Sequence, residues 1–87
     1  MSNVTETEKM EISILTGTLE LGSECYHIVT KGCRPEHVEH TVGVIYNEIT
    51  QSAFGASDYV QTINNQDLRK WNRERYTITI QIESQMI

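Results

Sequence analysis

Eighty-seven residues make one domain, with a core so thin that only about 60% of the unfolded chain's surface can be buried. The net charge of −5 argues against broad nucleic-acid affinity, because neutralising phosphates needs a basic surface. No apolar run approaches the ~18 residues of a membrane span, and no charged-then-apolar signal region opens the chain, so a soluble, cytoplasmic protein is expected.

The opening Met1–Glu8 (MSNVTETE) is polar, acidic and aperiodic, and reads as a disordered leader to a single domain over residues 9–87. From Lys9 to Leu21 the pattern has a period of two, the mark of a strand. Met10, Ile12 and Ile14 are apolar in one phase; Leu15, Leu19 and Leu21 are apolar in the other. That change of phase at Ile14-Leu15 predicts a bulge or bend, which Gly17 would ease. Gly22-Ser23 supplies turn chemistry, and Cys25–Lys31 is expected to run back as the second strand of a hairpin.

Cys25 and Cys33 lie in the segment CYHIVTKGC. An extended strand would hold their sulfurs roughly 20 Å apart or more, too far for a disulfide, so two free thiols are expected. Free thiols suit a reducing compartment.

Pro35 to Phe54 predicts the main helix. Val38, Val42, Ile45, Ile49 and Ala53 fall within one narrow arc at 100° per residue, with Tyr46 at its edge. Pro35 suits the first turn, Glu36 and Glu39 complement the positive end of the dipole, and Gly55 suits the end. Ser57 or Asp58 would cap further helix, with Tyr59, Val60, Ile63, Leu68 and Trp71 as apolar positions divided in two by Asn64-Asn65. The last strand is the cleanest signal: Tyr76, Ile78, Ile80 and Ile82 alternate with Thr77, Thr79, Gln81 and Glu83. The expected class is therefore α+β, a small antiparallel-rich three-stranded sheet (β-β-α-α-β) with helices on one face. The first strand would be central, leaving the last one at an edge.

Four constellations bear on chemistry. Cys25, His27, Cys33, His37 and His40 invite a zinc hypothesis, but no CxxC or HExxH spacing is present and no metal site is expected. Cys33 near the helix start, with His37 one turn on to accept its proton, offers a thiol nucleophile and its base. Yet nothing supplies an oxyanion hole, and no enzyme is expected. Arg69, Lys70, Arg73 and Arg75 are four of the seven basic residues and surround Trp71. On a helix, Arg69 and Arg73 would point together at a phosphate or carboxylate while Trp71 stacks on a base. Finally, Glu6, Glu8, Glu11, Glu20 and Glu24 make the first 24 residues acidic, opposed there only by Lys9. Such a surface suits nucleic-acid mimicry or the steering of a basic partner, though more often it simply keeps a small protein soluble.

The functional expectation is a small non-enzymatic protein-binding module, an inhibitor or adaptor, needing no cofactor. The alternative is a binder of nucleic acid or a phosphorylated ligand through Arg69, Lys70, Trp71, Arg73 and Arg75. A homodimer or strand-added complex through the Tyr76–Ile82 edge is a further expectation, since that strand lacks proline and carries no charge on its polar face before Glu83.

Overall fold

A computed structural model describes residues 10–51 and 55–86. Five strands and one helix follow one another as β1 (Glu11–Leu21), β2 (Glu24–Cys33), α1 (Val38–Thr50), β3 (Val60–Asn64), β4 (Leu68–Arg73) and β5 (Tyr76–Met86). Short 3₁₀ turns at Pro35–His37 and Ala56–Asp58 lead into α1 and β3. All five strands join one sheet in the order β2-β1-β5-β4-β3, and every neighbouring pair is antiparallel. The expected leader and the helix end at Phe54 lie outside the described residues.

This architecture corrects the three-stranded β-β-α-α-β expectation. Where two further helices were expected, the chain forms a β3–β4 hairpin. Asn65 makes its turn: the side-chain carbonyl accepts hydrogen bonds from the backbone N–H of Asp67 at 3.0 Å and of Leu68 at 2.8 Å, and the Asn65 N–H donates to the Leu68 carbonyl at 3.0 Å. Asn side chains favour such turns because they bond the backbone two and three residues on. In β4, Arg69 and Trp71 face the helix while Leu68 and Lys70 face away. The period of two is present but disguised, since an arginine occupies an inward position.

The hairpin also moves the last strand. With β4 alongside it, β5 pairs with β1 on one side and β4 on the other and is the centre of the sheet. Along Tyr76–Ile82 its neighbours are strands of its own sheet on both sides, which removes the premise of the homodimer expected there.

Helix α1 covers one face of the sheet. Val42, Ile45 and Ile49 pack with Leu15, Leu19, Val29, Ile78 and Ile80, and Tyr59 completes the cluster. Thr41 and Thr50 are buried as well, their hydroxyls donating at 2.9 Å to the carbonyls of His37 in the preceding 3₁₀ turn and of Tyr46 in the helix. No bulge occurs at Ile14-Leu15. Leu15, Gly17 and Leu19 face the helix, whereas Ile12 and Ile14 occupy the opposite face without interrupting the pairing with β5. The irregularity falls instead between Leu19 and Glu20, where Tyr26 is the extra residue of β2.

Two tight hairpins close the same end of the sheet. Gly22 adopts φ 63°, the positive value demanded of the first residue in one class of two-residue turn. Glu74 opens the equivalent β4–β5 turn with φ 55°, where a side chain is strained. Its contact with Arg73, 3.6 Å between charged atoms and largely exposed, offsets little. Glu74→Gly is therefore expected to raise stability by up to about 1 kcal/mol in urea denaturation, and a loss of stability would contradict this reading.

Candidate binding surface

The strand conformation of β4 disperses the basic cluster. Arg69 is buried at 7% exposure beneath the start of α1. Its guanidinium forks onto the Glu39 carboxylate, Nη1 to Oε1 at 2.9 Å and Nη2 to Oε2 at 2.7 Å, while Nε donates to the Asn65 carbonyl at 2.6 Å. The pair favours both charged forms: Arg69's hydrogen bonds hold the Glu39 carboxyl below its ordinary pKa, and Glu39 raises that of Arg69. Trp71 is half-buried and lies against Tyr46, ring centres 4.5 Å apart. Lys70 points to the opposite face of the sheet, Arg73 lies beside Glu74, and Arg75 is exposed in the last hairpin turn. Arg69 and Arg73 are thus four residues apart on an extended strand, not one helical turn apart.

The thiols and histidines are similarly separated. Both cysteines are free, as the extended strand between them requires. The bulge at Tyr26 places Cys25 opposite Glu20 and His27 opposite Leu19, on different faces rather than the same one. The His27 Nε2 is buried and has no hydrogen-bond partner, yet among the described residues no three His, Cys, Asp or Glu side chains gather to hold a metal ion. Cys33 ends β2 half-buried against the core, and His37 is exposed in the 3₁₀ turn.

The sheet face away from α1 has a different character. Across β1 and β5, Thr16 stands opposite Gln81 and Thr18 opposite Thr79. Beyond them Thr77 accepts a hydrogen bond from the Asn72 amide at 2.9 Å, and the Thr62 hydroxyl donates to Asn72 at the same distance. Such a polar face is the usual water-facing side of an antiparallel sheet. One corner departs from that pattern. A depression of about 320 Å³ is lined there by Ile14, Leu68 and Ile82 together with Thr16, Gln81, Asp67 and Glu83. Ile12 lies next along β1, and among the described residues no helix covers this face.

Sequence reasoning named Ile14 and Leu68 only as apolar positions of a strand and a helix, not as binding residues. The change of apolar phase at Ile14-Leu15 was the available signal, because it marks a strand with apolar residues on both faces as readily as a bulge. No described helix is long and apolar enough to cross a membrane. No protein-family model, curated protein or solved structure matches the chain.

Proposed function

We propose that this protein is a small non-enzymatic binding module that docks another protein on the face of the sheet opposite α1. The observation that carries the reading is the depression that Ile14 and Leu68 line together with Asp67 and Glu83. An apolar anchor with carboxylates beside it fits an apolar side chain neighboured by Lys or Arg. The net charge of −5 adds long-range attraction for such a basic surface. An inhibitor or adaptor working by surface occlusion needs nothing more. Free thiols at Cys25 and Cys33 favour a reducing, cytoplasmic setting for it.

Binding of phosphorylated ligands through the basic residues has less support. Arg69 is engaged with Glu39, and Lys70 and Trp71 face opposite sides of the sheet. The test compares immobilised wild-type protein with an Ile14→Glu/Leu68→Glu variant of unchanged circular dichroism. A protein retained by the first, lost by the second, and weakened when Asp67 and Glu83 are made Asn and Gln supports the reading. Equal retention on both, or salt-sensitive binding of polyanions unaffected by the variant, overturns it.

A further inference from the structure

We infer that β2 is a self-complementary edge through which two copies of this chain pair antiparallel, joining their sheets into one of ten strands. This goes beyond the docking reading. The two share Ile14, which lines the depression and pairs with Gly32 across β1 and β2, and the Ile28→Lys test below leaves every residue lining the depression unchanged. The sheet has two edges, and they differ. β3 is five residues long and its pairing with β4 shifts register between Gln61 and Ile63. β2 is ten residues long, and past the bulge at Tyr26 it runs regularly from His27 to Cys33. It contains no proline, and its outward Ile28 is 63% exposed. β2 carries two protections, the bulge at Tyr26 and the helix-facing Lys31, but its outward face at Ile28, Thr30 and Gly32 holds no charge, and a long edge of that kind is a template for pairing.

The register follows from the strand itself. The regular segment from His27 to Cys33 is centred on Thr30, so full overlap of two copies places Thr30 on the two-fold axis. Ile28 of each copy then falls opposite Gly32 of the other, both on the face away from α1. Gly32 is a hollow there. A Cβ built on it would stand 3.5 Å from Ile14 Cδ1 and 3.9 Å from both Ile12 Cγ2 and the Ser13 carbonyl oxygen, so the space above it is walled chiefly by apolar groups. The exposed isoleucine of one copy fills the hollow of the other, twice by symmetry. On the helix-facing side, Lys31 meets Val29 rather than its own copy. Lys31 is also held 3.7 Å from Glu48, so no like charges meet at this seam.

Sedimentation of the full chain over a wide concentration range tests this, with circular dichroism confirming that each variant folds. The wild type is expected to populate a dimer at high concentration, and Ile28→Lys is expected to remain monomeric. Thr30→Cys, in a Cys25→Ser/Cys33→Ser background, is expected to form a disulfide-linked dimer under mild oxidation. Residues directly opposite across antiparallel strands have Cα atoms about 4.5 or 5.5 Å apart, within the disulfide range. Val60→Cys on the β3 edge, in the same background, is expected not to cross-link. A wild type that stays monomeric throughout overturns the inference. So does a dimer that survives Ile28→Lys, or one that Thr30→Cys fails to trap.

Discussion

Gly17→Val is expected to unfold the domain or nearly so. A Cβ at Gly17 would overlap Ile45 Cγ2 and stand 3.1 Å from Ile49 Cδ1, both on the buried face of α1. Ile45 cannot turn aside cheaply, since a β-branched side chain in a helix has one strongly preferred rotamer and this one is fully buried. The helix must lift instead, opening the thin core along its length. Overpacking by a single methyl costs about 1–3 kcal/mol, so Gly17→Ala belongs in that range and valine above it. A domain of this length has a total stability of about 4–13 kcal/mol, so either change is a large fraction of the whole. The decisive experiment is a double-mutant cycle with Ile45→Ala, which removes the colliding methyl. Alone, Ile45→Ala should cost about 2–5 kcal/mol. Combined with Gly17→Ala, the loss should fall short of the sum by more than about 1 kcal/mol, because each change relieves the other. Additive losses in urea denaturation would mean that Gly17 matters to the backbone rather than to the seat of the helix.

That role for Gly17 was hidden by the same feature that obscured the sheet's second face. Reading along β1, Ile12 and Ile14 followed by Leu15 and Leu19 look like a strand that changes sides. The simpler fact is that both sides carry apolar residues, the helix covering one and leaving the other open. What sequence did reveal was every element with a pure pattern: the Gly22-Ser23 hairpin, the inward stripe of Val42, Ile45 and Ile49, and the alternation in β5. In these segments the buried positions are mostly apolar, with Thr41 and Thr50 of the helix among the exceptions, so period and burial largely coincide.

β4 breaks that coincidence. LRKWNR alternates correctly, but one of its inward positions is Arg69, and an inward arginine is invisible to a hydrophobic period. Asn64-Asn65 was correctly a breaker and wrongly placed between helices, because turn chemistry does not identify the elements it joins. The error then propagated. Without β4, β5 had one neighbour and looked like an edge, and a dimer was expected on the strand that the sheet uses as its centre. The basic cluster followed the same path: on a helix Arg69 and Arg73 converge, while on a strand Arg69 and Lys70 diverge. The ion pair of buried Arg69 with exposed Glu39, thirty residues away in sequence, takes Arg69 out of the basic cluster.

Removing that pair is the second large effect expected. Arg69→Ala deletes both bonds to Glu39, the bond to the Asn65 carbonyl that braces the hairpin turn, and the packing of a buried stem. Hydrogen bonds to charged groups contribute about 1.5–3 kcal/mol each in favourable settings, but Glu39 keeps its far side in water and the pair is discounted accordingly. A loss of about 3 kcal/mol is expected for Arg69→Ala, and about 1 kcal/mol for Glu39→Gln, which leaves the Nε bond in place. Arg69→Lys should recover little, since an ammonium cannot make the fork. Acid titration supplies a sharper check. The Glu39 carboxyl is held below its ordinary 4.5 in the folded state, chiefly by its bonds to Arg69. A carboxyl depressed on folding contributes stability that is fully present above its unfolded pKa and is lost as pH falls through the folded one. The wild type should therefore lead Glu39→Gln by a constant margin at neutral pH, and the lead should shrink as pH falls below about 4.5. Added salt should reduce the same margin, because one side of the pair is exposed. Parallel stability curves for the two proteins from neutrality down to acid unfolding would show that the fork carries no net weight, and that Arg69 matters only for its packing and its bond to Asn65.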